Sequence, residues 1–224
     1  PKIKYQSHPE EEYFDDIFKE ILHEERININ YKKCFYLNYV KDLDNKKRAK
    51  LISFLYEIAN AYSFRRKTIY RGIQTFDRFF CKEKVDKQYF ELLCIVIIII
   101  SAKFNEILYP NYSAVLSTFC KNKSYTVEQA IKMEEIVLKT IDYNLFPITS
   151  LYIFDLISKK LELPPVEYYL GSLMIELSQF DFGLYNYKNS LIAQTVLCKV
   201  LELTQRINCN PLDILKYLFP EENF

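Results

Sequence analysis

Glycine, histidine and tryptophan are scarce in this sequence of 224 residues, which has three glycines, two histidines and no tryptophan. With so few glycines, no glycine-rich phosphate-binding loop can be recognised. His8 and His23 both lie near the N-terminus, which leaves no histidine for a catalytic triad elsewhere in the chain. Nucleotide-binding and histidine-dependent enzymes are therefore excluded, and we expect a protein that is not an enzyme.

Paired cysteines are also missing. None of the six cysteines forms a C-x-x-C pair, and neither histidine lies at ligand spacing from them. We therefore expect no metal site and no cofactor. No secretory signal opens the given sequence, which favours an intracellular setting with reduced thiols. The cysteines are Cys34, Cys81, Cys94, Cys120, Cys198 and Cys209.

Neither excess charge nor a long apolar run is present. The net charge of +1 disfavours a nucleic-acid-binding surface, which normally carries a basic excess. The most apolar run, Leu92–Ile100, is about half as long as a bilayer requires, so we expect a buried helix and no membrane partner. Half of the residues are apolar, which is typical of a folded chain.

Apolar residues recur at helical spacing along the chain, and no long stretch alternates between apolar and polar residues. This pattern predicts an all-α fold. We expect a helix over about residues 11–26 and a second one from residue 44. Further helices are expected from Ile69 to Phe80, through the buried run to near Pro110, over Tyr112–Cys120, and after Thr126.

The helical pattern begins again after Pro147. Shifted by 99 positions, Tyr70–Gly72 aligns with Tyr169–Gly171, so two of the three glycines occupy matching places. We interpret this as two copies of one helical unit. The expected domains are an N-terminal helix and connector (1–44), a first bundle (45–146) and a second bundle, trimmed at its C-terminus (147–224).

Four charged residues lie on apolar helix stripes: Arg48, Asp77, Lys103 and Glu134. An unpaired charge on a buried face costs several kcal/mol, so each needs a partner. The simplest arrangement is two internal salt bridges. Alternatively, one pair is internal and the other two charges stand at the rim of an apolar groove that binds a peptide or helix. Periodicity does not choose between these arrangements.

These charges belong to segments that, in order, resemble the motifs of cyclins of the A and B (mitotic) types. The resemblance covers most of the chain and implies two consecutive cyclin-box bundles after an N-terminal helix. The segments are Tyr13–Ile17 (Y-x-x-D-I), Arg48–Leu55 (first helix of the box), Phe76–Phe79 (D-R-F), Ser101–Ile107 (A-S-K-[FY]-E-E-I), Met133–Leu138 (M-E-x-x-[IV]-L), Asp142–Leu145 ([DN]-[FY]-x-L) and Leu170–Asp181 (second box).

The resemblance implies a regulatory subunit that binds and allosterically activates a cyclin-dependent serine/threonine kinase in cell-cycle control, in nucleus and cytoplasm. It implies that Arg48 and Asp77 pair inside the first box. It further implies that Lys103 and Glu134 contact the main chain of the kinase around its mobile small-lobe helix, close to its activation loop. Three apolar residues are expected to shape the same groove: Leu92, Phe104 and Leu138.

The first helix departs from the family pattern where many cyclins bind Arg-x-Leu segments of substrates or inhibitors. The resemblance places this docking patch at Leu51, Phe54, Glu57 and Ile58. Lys47 and Lys50 replace apolar residues of the family pattern there. Two ammonium groups would repel an incoming arginine, so we expect the patch to be lost or retuned toward acidic ligands.

Other interpretations keep the fold but change the function. A transcription-type cyclin or a transcription factor IIB-like module has the same architecture. The near-neutral charge disfavours the latter, and the Y-x-x-D-I segment disfavours the former. A helical-repeat scaffold would show a period near 40 residues instead of 99.

Overall fold

The computed structural model describes residues 13–14, 16–25, 45–120, 125–181 and 183–204, in which no β-strand occurs. The expected all-α class is confirmed. The described α-helices are α1 (16–25), α2 (Asn45–Ala61), α3 (Arg66–Phe80), α4 (Phe90–Asn105), α5 (Tyr112–Phe119), α6 (Val127–Thr140), α7 (Ser150–Lys160), α8 (Pro165–Ser178) and α9 (Asn189–Leu203).

Local sequence sets several of these helix ends. Thr126 accepts a hydrogen bond from the backbone N–H of Gln129, whose side chain in turn accepts from the backbone N–H of Thr126. This capping box satisfies two N–H groups that would otherwise have no partner at the start of α6. Asn111 caps α5 through the N–H of Ala114 in the same way.

The chain forms two compact units. The first unit is Asn30–Thr149 with Gln179–Asn186, and the second is Pro1–Ile29, Ser150–Ser178 and Tyr187–Phe224. Within the second unit, α7, α8 and α9 pack against one another. The domain limits 1–44, 45–146 and 147–224 stay predictions, because residues 26–44 and 205–224 lie outside the described part of the chain.

Helix α4 forms the centre of the first unit and packs against α2, α3, α5 and α6. Every residue from Leu92 to Ala102 is buried. With the short 3₁₀ turn before it, the helical stretch from Lys87 to Asn105 is long and apolar enough to cross a membrane. A helix enclosed by other helices passes the same test, and burial against four neighbours accounts for its composition.

Helix α4 ends earlier than the sequence suggests, at Asn105 instead of near Pro110. The reason is Glu106, whose backbone is extended and whose carboxylate reaches back to the start of α3. One carboxylate oxygen accepts from the Arg65 backbone N–H at 2.9 Å and from the Thr68 hydroxyl. These bonds turn the chain away from the helix axis and leave Ile107 and Leu108 exposed.

The two glycines that align in the repeat both allow close helix contact. A Cβ atom at Gly72 would lie 3.2 Å from Ile98 of α4, and one at Gly171 would lie 2.1 Å from the ring of Phe154 in α7. The second distance is too short for any side chain, so α7 and α8 require glycine at this position.

Arg48 and Asp77 form a buried ion pair between α2 and α3, as predicted. Arg48 Nε and Nη2 donate to the two carboxylate oxygens of Asp77, at 2.8 and 2.7 Å. Its Nη1 donates to the backbone carbonyl of Gln179 at 2.7 Å. The side chains are 2% and 1% exposed. Burial alone lowers the pKa of Arg48, but the charge and hydrogen bonds of Asp77 outweigh it, so the pKa is raised.

In the second unit, a residue of α1 caps another helix. Lys188, at the N-terminal end of α9, makes no side-chain capping bond, but the buried Glu25 carboxylate accepts from the backbone N–H of Ser190 at 3.0 Å. A carboxylate at this position satisfies a free N–H and interacts favourably with the helix dipole. In addition, Lys160 of α7 lies 4.1 Å from the ring centre of Phe14.

We predict that Asp77→Ala lowers the free energy of unfolding by about 3–5 kcal/mol, because it leaves the buried guanidinium of Arg48 without its counter-ion. Urea denaturation followed by circular dichroism measures this loss. Asp86→Ala, at an exposed aspartate that makes no capping bond, is the matched control and should leave the midpoint unchanged. Equal midpoints for both variants would contradict the structural role of the pair.

We also predict that Glu25→Ala destabilises the protein by about 1 kcal/mol, a typical value for the loss of a helix N-terminal acceptor. Because this contact joins α1 to α9, hydrogen exchange at the N–H of Ser190 should accelerate more than exchange in α4. The exposed Glu20 on the same helix provides the control substitution. Unchanged exchange at Ser190 in the Glu25 variant would refute the capping role.

Candidate docking site

The predicted site residues Lys103 and Glu134 are brought together by the packing of α4 against α6. Lys103 lies in the last turn of α4, where the buried run ends, and its Nζ donates to both Glu134 oxygens, at 2.6 and 2.7 Å. The Tyr112 hydroxyl of α5 donates to the same carboxylate at 2.8 Å. Three helices therefore hold one charged pair.

Of the two arrangements that the sequence left open, the structure has the one with two internal salt bridges. The pairs differ in burial, however. The Lys103 and Glu134 side chains are 37% and 17% exposed, whereas Arg48 and Asp77 are almost fully buried. The Lys103–Glu134 pair therefore lies at the surface, where another molecule can reach it.

Tyr112 supports this pair from below. Its ring lies 5.1 Å from Lys103 Nζ, within the range of a cation–π contact. Burial raises the pKa of Tyr112, and the hydrogen bond to the Glu134 carboxylate raises it further. The phenol therefore stays protonated and keeps donating at any physiological pH. The motifs gave no signal for Tyr112, since its role depends on how α5 packs.

The three apolar residues predicted for this site lie at different depths. Phe104 is 41% exposed and Leu138 of α6 is half-buried. Leu92 is only 1% exposed and lies about 16 Å before Lys103 along α4, so it offers no surface at this site. Ile131, three residues before Glu134 on α6, is 55% exposed.

Two residues that the sequence reasoning missed, Arg71 and Phe146, extend this surface. The guanidinium carbon of Arg71 lies 4.3 Å from the ring centre of Phe104 and 5.0 Å from that of Phe146. The two rings meet edge to face at 4.8 Å. A usable signal existed: Arg71 is the one charged residue from Thr68 to Phe76, and the structure buries every other residue of that stretch.

The turn after α6 positions Phe146. Arg78, in the D-R-F segment of α3, donates to the backbone carbonyl of Asn144 at 2.8 Å. The side chain of Asn144 then accepts from the N–H of Phe146 at 3.1 Å. Asp142 and Tyr143 both adopt φ of 55°, in the left-handed region. This turn directs Phe146 toward α3, where its ring is 71% exposed.

A separate cavity of about 860 Å³ lies along α2, at the predicted docking patch. Leu51, Phe54 and Glu57 line it, as expected. Ile58 does not, because it lies on the buried face of α2 and is fully covered. Both lysines that depart from the family pattern also line it. Glu91, which stands where the family pattern has glutamine at this patch, lines it as well. The lining residues that the sequence did not indicate are Ser53, Lys87, Phe90, Thr118, Phe119 and Cys120.

Within the described ranges, no group of three histidine, cysteine, aspartate or glutamate side chains is close enough to hold a metal ion. The cysteines at positions 81, 94, 120 and 198 lie in this part of the chain. Burial raises the pKa of the Cys94 thiol. It also raises the pKa of the Cys198 thiol, which is less deeply buried. Thiols with raised pKa values are poor nucleophiles and poor metal ligands at neutral pH.

Comparison with known proteins identifies relatives that cover most of the chain. The family described as "Cyclin, N-terminal domain" matches residues 16–146, more than half of the chain. Cyclin-B2-2 of Arabidopsis thaliana is 27% identical over 195 residues, 83% of this chain and 42% of the relative. The G2/mitotic-specific cyclin-A of Patella vulgata is 26% identical over 188 residues, 84% of this chain and 43% of the relative.

The human G2/mitotic-specific cyclin-B2 is 23% identical over 158 residues, 70% of this chain and 39% of the relative. The chain therefore spans less than half the length of these three relatives. Among solved structures, a viral cyclin from herpesvirus saimiri superposes with a TM-score of 0.65 and 16% identity, covering 85% of this chain and 88% of that one.

A chain of the yeast RNA Pol II CTD kinase CTDK-1 complex superposes with a TM-score of 0.67 and 13% identity, covering 87% of this chain and 66% of that one. At these identities the structures show a shared fold. The matched family supplies the closer assignment: this chain belongs to the cyclin family, with A- and B-type mitotic cyclins among its relatives.

Proposed function

We propose that this chain binds a cyclin-dependent serine/threonine kinase and activates it allosterically in cell-cycle control. The observation that carries the proposal is the surface-exposed Lys103–Glu134 pair beside Phe104, at the positions where the family motifs imply kinase contacts. The names of the mitotic relatives support it. Its action in nucleus and cytoplasm rests on the family resemblance alone, and imaging of a tagged protein tests it.

The salt bridge between the two charges is compatible with binding. A lysine ammonium has three donors, and a carboxylate has about four acceptor positions. Contacts with Lys103 and the Tyr112 hydroxyl leave acceptor positions on Glu134, and Lys103 keeps a further N–H. A peptide group offers the complementary carbonyl and N–H. The pair therefore presents a donor and an acceptor in fixed positions to a partner's main chain.

Fixed positions matter because activation requires a preference for one kinase conformation. A kinase transfers phosphate only when its strand lysine pairs with the glutamate of its mobile helix and its activation loop is in place. A surface that binds this arrangement more tightly than the inactive one shifts the population toward activity. The chain needs no catalytic group for this role and acts as a regulatory subunit.

We further propose that the α2 cavity binds a segment with an apolar anchor but does not favour the Arg-x-Leu type. Leu51, Phe54 and Phe119 give the cavity an apolar wall, and its three lysines outnumber its two carboxylates, Glu57 and Glu91. This excess of lysine disfavours a flanking arginine and favours a flanking carboxylate. The cavity retains room for a side chain, and its charge changes the preferred ligand.

Lys103→Ala and Glu134→Ala should each fold normally yet lose about 2–5 kcal/mol of kinase-binding free energy, because the kinase group that each one meets is left buried and unpaired. Binding and phosphotransfer are measured with purified mitotic and transcription-type cyclin-dependent kinases. Glu135→Ala removes a neighbouring glutamate whose partner is Lys139 on its own helix, and should bind like wild type. Full activation by the Lys103/Glu134 double alanine variant would refute the proposal. Selective activation of transcription-type kinases would favour the alternative function.

For the α2 cavity, an Arg-x-Leu peptide should bind at least tenfold more weakly than a peptide with glutamate in place of arginine, and Lys47→Met/Lys50→Ile should reverse the order. Fluorescence polarisation with labelled peptides measures both affinities. Lys84→Met, an exposed lysine that does not line the cavity, is the control. Tight binding of the Arg-x-Leu peptide by the wild-type chain would contradict the proposed change in ligand preference.

A further inference from the structure

Arg71 differs from the other described arginines of the first unit, which have acceptors or, in the case of Arg66, are exposed to solvent. Arg48 pairs with Asp77, Arg65 lies 3.7 Å from Glu106, and Arg78 donates to backbone carbonyls. No carboxylate of the described residues forms an ion pair with Arg71, and its buried Nη1 meets no hydrogen-bond acceptor there. A buried donor without an acceptor is costly, so the fold alone does not explain an arginine at this position.

Two phenylalanine rings hold the guanidinium of Arg71 in place. It lies against Phe104 on one side and close to Phe146, and both rings are substantially exposed. A planar guanidinium stacks on aromatic rings and is weakly hydrated, whereas an ammonium does neither as well. Burial lowers the pKa of Arg71, but an arginine remains charged at neutral pH. The result is a fixed positive charge within an exposed aromatic surface.

This surface is continuous with the candidate docking site. Phe104 directly follows Lys103 and is shared by both. On the other side, Thr68 lies one turn before Arg71 on α3 and binds Glu106, which begins the exposed segment Ile107–Tyr109. Two exposed aromatic rings therefore lie against Arg71, an arrangement typical of the centre of a protein interface, where arginine and aromatic residues are enriched.

Charge decides which partner group fits. Lys103 is already neutralised by Glu134, so the pair can contact a neutral main chain. Arg71 is not neutralised by any described residue, and an apolar surface around it strengthens its attraction for an anion. A carboxylate can accept two parallel hydrogen bonds from one guanidinium, a geometry that arginine favours and lysine cannot match.

We propose that Arg71, held against Phe104 and Phe146, binds a carboxylate side chain of the kinase and so forms a third polar contact beside the Lys103–Glu134 pair. This inference rests on the proposed function, because it names a contact in the same interface. It assigns Arg71 a role in binding and specificity and none in phosphotransfer.

The test uses the full chain and the purified cyclin-dependent kinase that binds it most tightly in the panel described above. We expect Arg71→Leu to weaken binding at least tenfold and to reduce the dependence of Kd on salt, because a charge pair is lost. The affinity of Arg71→Lys for the kinase should lie between the affinities of Arg71→Leu and wild type. Arg66→Leu, at an exposed arginine of the same helix, should change neither quantity.

A thermal melt of each variant separates this role from a structural one. Removing a buried donor that has no acceptor should leave the Tm of Arg71→Leu unchanged or raise it. If that variant fails to fold, Arg71→Lys and Phe146→Ala still test the contact through affinity and salt dependence. A lowered Tm with unchanged affinity in the folded fraction would assign Arg71 to the fold and overturn the inference.

The outcomes also separate this inference from the proposed function. If wild type and Arg71→Leu bind the kinase equally well, the Arg71 contact is wrong and kinase binding stands. If wild type binds no kinase in the panel, both proposals fail. Sedimentation tests whether a second copy of the chain occupies this surface instead. Self-association of the wild-type chain that Arg71→Leu abolishes would make the surface an interface between two copies and overturn the kinase contact.

Discussion

Burial of α4 on all sides is the constraint from which the first unit follows. A helix without a polar face cannot contact water along its length, so α2, α3, α5 and α6 must cover it. Its apolar run ends at Lys103, the first charged residue after Glu91. The ammonium must leave the core at that point. The position of the candidate docking site therefore follows from the length of the buried run.

The Arg48–Asp77 and Lys103–Glu134 ion pairs of the first unit differ in role because they lie at different depths. Arg48 and Asp77 exclude water and are satisfied on all sides by each other and by the Gln179 carbonyl. Such a pair specifies how helices meet, and breaking it is costly. Lys103 and Glu134 keep contact with solvent and retain unused donors and acceptors. The same chemistry therefore stabilises the fold in one place and, in the other, leaves a charged pair accessible at the surface.

The exposed aromatic surface adds a feature that the family motifs do not describe. The turn held by Arg78 brings Phe146 from the end of α6 to Arg71 on α3, while Phe104 arrives from the end of α4. Three separate segments therefore place one cation against two aromatic rings. A surface of this composition beside a charged pair resembles the centre of an interface more than an ordinary solvated face.

The sequence by itself determined the all-α class, most helix positions, the buried Arg48–Asp77 pair and membership of the family, because each depends on local periodicity or on motifs read in order. It did not determine where α4 ends, since the Glu106 bonds to α3 join residues about 40 positions apart. The sequence also did not decide whether Lys103 and Glu134 pair with each other. It did not show that Ile58 is buried away from the α2 cavity, and it did not indicate Arg71 and Phe146. Those facts depend on which helix faces meet, and only the packed tertiary structure decides which faces meet.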